Sequence, residues 1–342
     1  LDLARQKEEG GCKKLVITGC LSQRYQGELP KELPEVDLFI GTNDYAEIGR
    51  VLSRVPPTRT HKFRAGGRPA RPLCPFGTSP PTSGGVPLAT RPVDLPSREY
   101  IHPPLYVHTS ETPRLLATQP HTAYVKIAEG CSHTCSFCII PKLRGKQRSR
   151  PVDDIITEVR NLKGMGVKEF NLIAQDTTDY GSDLHNGTTI EKLFSELAKI
   201  PGDHWLRLMY AYPLRFSDEL IEIIASSPNF CRYVDIPFQH INGRILKSMH
   251  RGSDGRTIRG LVERMRERIP GIAIRSTFIV GYPGETEAEF QELAGFLKEA
   301  KLERVGVFTY SDEEGTEAAK LVDRVPEKIK KERRKILMEE QC

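Results

Sequence analysis

The stretch YVKIAEGCSHTCSFC (124–138) decides the fold. Its first residues, YVKIA, read as a strand. Gly130 then releases the chain into Cys131-Ser-His-Thr-Cys135-Ser-Phe-Cys138. Three of the eight cysteines fall inside these eight positions, and the others are scattered. Eight cysteines in 342 residues are too few for a disulfide framework, and such clustering points to metal or redox chemistry in a reducing compartment.

The spacing C-x3-C-x2-C places three thiolates on one short loop. They can hold three irons of a four-iron cubane and leave the fourth iron open to chelation by a bound molecule. The alternative is zinc with His133 as fourth ligand. Structural zinc sites usually join a C-x2-C pair to a second, distant pair, whereas His133 lies between two of the cysteines. A disulfide would leave one of the three unpaired.

Outward from the loop, strand-like runs alternate with helical ones: YVKIA, VKEFNLIA, WLRLMYA, YVDIP, IAIRSTFIVG and VGVFTY. Helical periodicity follows at about 152–163, 189–200, 217–226, 254–268, 286–300 and 327–340. Pro151 and Pro326 stand where a first helical turn tolerates proline. Six βα units in about 220 residues predict an α/β fold with a parallel sheet, closed or nearly closed as a barrel, and chemistry at the C-terminal strand ends. Cys231 precedes a strand and reads as a buried apolar residue, while Cys12, Cys74 and Cys342 lie in polar surroundings and take no role.

Upstream, fourteen of the 25 prolines fall between Pro56 and Pro120, among Gly-Gly pairs and little apolar periodicity. Residues 54–118 therefore read as a Pro/Arg-rich linker or insertion, with 55–110 poorly ordered. From Ser53 to Ser110 there are eight Lys and Arg against two acids, so the net charge of +5 belongs to this stretch. A solvated connector explains it; a nucleic-acid patch is the alternative. Before it, KKLVITG (13–19) and VDLFIG (36–41) read as strands with helical segments between and after, the last capped by Thr42 or Asn43. The expected domains are 1–53, the linker 54–118, and a barrel over 119–342. No apolar run approaches the 18 or so residues of a membrane span, and 38% apolar with 28% charged residues excludes collagen, coiled coil and wholesale disorder.

The cysteine loop, with an aromatic before its last cysteine at the top of the first strand of a βα barrel, resembles the radical S-adenosylmethionine (SAM) enzymes. Further segments narrow the likeness: CIIPKLRGKQRSRP (138–151), NLIAQDTTDYG (171–181), LMYAYP, YVDIPFQH (233–240), STFIVGYPGET (276–286) and VGVFTYSDEEGT (305–316) are similar to those of methylthiotransferases, and VITGCLSQRYQGEL (16–29) to their first domain. AQDTTDYG and DIPFQH resemble the RimO type, which modifies a ribosomal protein, more than the MiaB type, which modifies tRNA.

The resemblance implies a 4Fe-4S cluster on Cys131, Cys135 and Cys138, whose open iron takes the amino and carboxylate groups of SAM. A 5′-deoxyadenosyl radical would follow from one-electron cleavage. It implies SAM or substrate contacts at Gln175, Asp176, Gln239 and His240, each of which could instead serve as a loop cap or core hydrogen bond. Phe137 would shield the cluster or pack the loop. Gly281 and Gly284 would let backbone approach the cofactor, with Pro283 and Glu285 shaping the helix entry.

Cys20 matches the third ligand of the family's second cluster. The two other ligands, and the small TRAM-type β-barrel that follows the family's last helix, have no counterpart between Leu1 and Cys342, which implies a partial family member. The expected activity is methylthio transfer to the β-carbon of an aspartate of ribosomal protein S-twelve, with an electron donor, no membrane, a monomeric state and a cytoplasmic or organellar setting. A tRNA methylthiotransferase acting on a hypermodified adenosine is the first rival, and a zinc-stabilised RNA-binding module the second.

Overall fold

The computed structural model describes residues 2–8, 10–54, 98–112 and 114–341. The reading of 55–97 as a linker, and Cys74 and Cys342, lie outside the described residues. The chain divides into two compact units, Leu1–Tyr106 with Lys142–Gly145, and Val107–Pro141 with Lys146–Cys342.

The first unit carries β1 (Val16–Thr18), β2 (Leu38–Ile40) and β3 (Glu99–Tyr100), all parallel in the order β1-β2-β3. Helices α1 (Asp2–Glu8), α2 (Cys20–Arg24), α3 (Leu29–Glu32) and α4 (Ile48–Arg54) accompany them. The apolar run Leu38-Phe39-Ile40 is buried on both faces, as a central parallel strand requires. Below it Asp37, fully buried, accepts hydrogen bonds from Lys7 Nζ at 2.8 Å and the Leu15 amide at 2.6 Å.

Two expectations are corrected here. Residues 98–106 are part of this unit, where β3 pairs with β2 and Arg98 donates to the Val36 carbonyl at 3.0 Å, and the second unit begins at Val107 rather than 119, with the Ser110 hydroxyl donating to Asp154 at 2.7 Å. Neither Thr42 nor Asn43 caps a helix. A 3-10 turn (Tyr45–Glu47) precedes α4, and Asn43 Oδ1 accepts from the Tyr106 amide instead.

In the second unit six parallel strands, β4 (Thr122–Lys126), β7 (Glu169–Ile173), β8 (Trp205–Leu208), β9 (Phe230–Asp235), β10 (Ala273–Val280) and β11 (Arg304–Thr309), stand in chain order across one sheet. β4 and β11 are its edges, so the barrel is partial and open between them. A small antiparallel pair, β5 (Ala128–Glu129) and β6 (Arg148–Ser149), extends from the end of β4. The helices are α5 (Ile140–Arg144), α6 (Val152–Gly164), α7 (Ile190–Ala198), α8 (Asp218–Ser226), α9 (Gly243–Ser248), α10 (Gly255–Arg268), α11 (Glu287–Ala300) and α12 (Glu327–Gln341). All six expected long helices are present, and α5 and α9 are added.

Burial alternates along β4, β8 and β10, whereas β7 and β9 bury consecutive residues. In β10, Ile274, Ser276, Phe278 and Val280 are buried while the residues between them are partly exposed. Phe238, Phe278 and Phe296 pack with centroids 6.2–6.5 Å apart, and burial of each phenyl ring is worth about 1.5–3 kcal/mol. Thr189, Ser217, Asn242, Asp254 and Thr286 cap the helices α7 to α11, each accepting a backbone amide, at about 1 kcal/mol per cap. Cys231 lies inside β9 rather than before it. Among the described residues, no helix is long and apolar enough to cross a membrane.

Candidate functional site

The chain leaves β5 through Gly130, whose φ of 81° lies in the left-handed region that favours glycine, and enters the cysteine loop. Ser136 anchors that loop. Its amide donates to the Met249 carbonyl at 3.1 Å, its carbonyl accepts from the Ala318 amide at 2.8 Å, and its hydroxyl lies 2.8 Å from both the Ser248 carbonyl and the Tyr282 hydroxyl. The Cys138 amide donates to the Cys135 carbonyl at 3.0 Å and curls the end of the loop. So fixed, Cys131, Cys135 and Cys138 all line one cavity of about 310 Å³, near the lower end of the range for small-molecule sites. All three are free thiols.

The opposite walls come from the C-terminal ends of the next three strands, as a parallel barrel dictates. Ala174, Gln175 and Asp176 follow β7, Tyr210 to Tyr212 follow β8, and Pro237 and Gln239 follow β9. Gln175 Nε2 donates to Glu129 Oε1 at 3.1 Å, while its Oε1 is buried without a hydrogen bond. Gln239 (φ 73°) and Tyr210 (φ 60°) are in the left-handed region, uncommon for residues with a side chain. Gln239 is held there by its amide on the Thr277 carbonyl and its carbonyl on the Ile279 amide, both 2.8 Å.

His133 is 2.6 Å from Asp176 Oδ2 through Nε2, and its ring stacks on Tyr212 at 4.0 Å. Asp176, itself buried, also accepts from Thr178. Arg251 reaches the cavity from the loop after α9. Its guanidinium lies 4.2 Å over the Tyr212 ring, and Nη1 is 3.6 Å from Cys135 Sγ. Burial pushes the Cys131 thiol up to about 11 and the Cys138 thiol and Tyr212 hydroxyl upward as well. Without metal these two thiols are therefore neutral at pH 7, and loading them as thiolates releases protons.

Of the residues singled out from sequence, the three cysteines, Phe137, Gln175, Asp176 and Gln239 meet at this cavity. His240, Gly281 and Gly284 are not among its lining residues. His240 is fully buried outside the cavity, with Nδ1 accepting from the Asn242 amide and Nε2 3.8 Å from Glu285 Oε1. Gly281 faces Lys330 of α12, where a Cβ would collide with the lysine stem, and Gly284 donates to the Asp323 carbonyl. Both glycines serve the turn between β10 and α11, with φ of 73° and 80°. Glu285 accepts the Gly281 and Tyr282 amides, so it shapes that turn. His133 contacts Asp176 through Nε2, which leaves Nδ1 as its ring nitrogen for a metal, and no three His, Cys, Asp or Glu side chains converge on one ion among the described residues.

Sequence reading missed Tyr212 and Arg251. Tyr212 sits in LMYAYP at a strand end, a position that could have flagged it. Arg251 follows a short helix whose six residues give no clear period, and nothing in the sequence marks it. Cys20 opens α2 in the first unit, half-buried, and its sulfur accepts from Arg144 Nη2 of the same unit at 3.3 Å.

Residues 125–297 match the family model described as the radical SAM superfamily. The chain is 46% identical to the ribosomal protein uS12 methylthiotransferase RimO of Geobacter sulfurreducens, over all of this chain and 68% of that protein. It is 45% identical to the RimO of Anaeromyxobacter sp. (strain K), over 99% of this chain and 64% of that one. Myxococcus xanthus has a RimO 45% identical over 96% of this chain and 61% of its own length. The chain thus spans about two thirds of the length of these relatives. Identity of this extent, added to a three-thiol cavity at the strand ends, shows that the chain belongs to the radical SAM superfamily and, within it, to the RimO family of methylthiotransferases.

Proposed function

We propose that this chain carries the radical-generating core of a methylthiotransferase, and that its substrate is the β-carbon of an aspartate in ribosomal protein uS12. The carrying observation is the set of three free thiols on one cavity wall, faced by buried polar atoms that have no partner. The donor set fits a site-differentiated 4Fe-4S cluster, and the names of the 44–46% identical relatives supply the substrate. When bound, cluster and SAM supply one-electron reductive cleavage that begins chemistry at an unactivated C–H bond.

The chain's own residues do the rest. Cys131, Cys135 and Cys138 hold the cluster on a loop fixed at Ser136. Gln175 Oε1 and the Gln239 side chain offer hydrogen bonds to the cofactor, and Phe137, Ala174, Ala211 and Pro237 keep water from it. Asp176 orients His133 against Tyr212 and so braces the wall beside the loop. An electron donor must feed the site. Cys20 is the one residue assigned to a second cluster, and no step is derived through it.

Mass spectrometry of ribosomal protein uS12 and of tRNA, from cells with and without the gene, tests the substrate. Loss of methylthio-aspartate with tRNA unchanged is expected. Loss of a tRNA methylthio group with uS12 unchanged would move the assignment to tRNA. A purified protein holding zinc and no iron would overturn the radical reading altogether.

A further inference from the structure

This protein pairs its buried cations. Arg150, wholly buried, meets Asp154 and Glu158 at 2.5–2.6 Å, and Arg333, 6% exposed, lies within 3.4 Å of Glu285 and Glu287. Arg251 is also 6% exposed, yet among the described residues no carboxylate lies within ion-pair distance of it. Its Nη2 donates to the Pro237 carbonyl at 2.7 Å, its plane rests on Tyr212, and its Nε is buried without a partner. The Tyr212 hydroxyl donates to the Arg251 carbonyl, which fixes the backbone too. Asp176, the buried carboxylate of the same cavity, is engaged by His133 and Thr178. A buried charge without a counter-ion is strongly disfavoured. Nη1 instead lies 3.6 Å from Cys135 Sγ, which carries negative charge as a cluster ligand.

We propose that Arg251 is the built-in counter-ion of the cysteine-bound cluster, donating to the Cys135 sulfur and raising the cluster's reduction potential. The proposal rests on the reading that the three cysteines hold a four-iron cluster. Three thiolates bring three negative charges into a largely apolar cavity, and hydrogen bonds to ligand sulfur and local net charge are two of the levers that set such potentials. A fixed guanidinium makes the cluster easier for a donor to reduce and, by the same amount, a milder reductant towards SAM. Tyr212, stacked on His133, keeps the guanidinium flat beside the sulfur. Arg251 is thus a positioning and tuning residue.

The test compares anaerobically reconstituted wild type, Arg251→Met, Arg251→Lys and the control Arg259→Met, whose arginine pairs with Glu299 on the surface. Iron content and the midpoint potential, followed by electron paramagnetic resonance, are the readouts, with SAM affinity alongside. Arg251→Met should retain iron and shift the reduction equilibrium at least tenfold, a fall of about 59 mV for one electron. Arg251→Lys should fall by less, since a point charge cannot keep both the Pro237 carbonyl and the sulfur. Arg259→Met should not shift.

Metal-free Arg251→Met should melt at or above the wild type, because it no longer buries an unpaired charge. An unchanged potential in iron-replete Arg251→Met overturns the proposal; if SAM affinity alone falls, the anion is the cofactor's carboxylate. If Arg251→Met fails to fold, an unshifted potential in Arg251→Lys overturns it equally. A wild type that binds no four-iron cluster sinks the reading of the site itself, and this proposal with it.

Discussion

The two units spend their polar groups differently. In the second, a buried serine, a histidine–aspartate pair and a stacked arginine all converge on a loop that carries three thiols. In the first, the buried polar contacts serve the sheet: Lys7 and the Leu15 amide satisfy Asp37, and His102 satisfies Asp44 at 2.6 Å. Its one cysteine at a helix start, Cys20, touches a single guanidinium nitrogen. A metal cluster needs several thiolates held in mutual register by backbone that is itself pinned. Only the second unit supplies that among the described residues.

The largest effect that could break this contrast is loss of a ligand. Cys138→Ala should abolish 5′-deoxyadenosine formation from SAM; if the reconstituted variant still produced it, the second unit would not be the radical source. Next, these 342 residues should take up about four irons per chain. A count near eight would place a complete cluster in the first unit and erase the contrast.

A smaller effect tests the pinning. Ser136→Ala removes the hydroxyl shared by the Ser248 carbonyl and Tyr282, and should cost about 0.5–1.5 kcal/mol, the net worth of a hydrogen bond, because those two partners still bond each other at 3.0 Å. The cluster should also be lost faster to a chelator, and an unchanged loss rate would show that the loop holds its shape without this anchor.

The last prediction sharpens the picture of the barrel alone. Burial would raise the Glu289 carboxyl, but hydrogen bonds from Arg244 and from Thr286 at the start of α11 outweigh it and hold it down to about 2, against an ordinary value of 4.5. A depressed carboxylate stabilises the fold fully above its unfolded value and loses that contribution as pH falls through the folded one. Melting of the metal-free protein should therefore weaken between about pH 5 and pH 2, and Glu289→Gln should flatten that fall. Parallel curves for the two proteins would remove Glu289 from the acid response.

Much of this was legible in the chain. Apolar periodicity located six strands and six long helices of the barrel, because each βα unit repeats the same packing problem. The cysteine spacing located the site, because three ligands on one loop are local in sequence. What escaped is non-local. Whether Gln239 or His240 faces the cavity depends on the phase of a strand end, and Gly281 faces α12, some 50 residues onward, rather than a ligand. Arg251 is recruited by a tertiary contact across 116 residues to Cys135, which no local pattern encodes. β3 is obscured because two residues are too few to show a period, and they lie inside a proline-rich stretch.

The left-handed backbone at Gln239 and Tyr210 has a consequence for engineering this protein. Each such residue sits about 1 kcal/mol or more above the conformation it would choose freely, and both line the cavity. Glycine at either place would relieve that tension while removing a wall of the pocket. Selection for heat resistance alone would therefore drift toward a tougher barrel with a blunted site, so thermal robustness and turnover must be screened together.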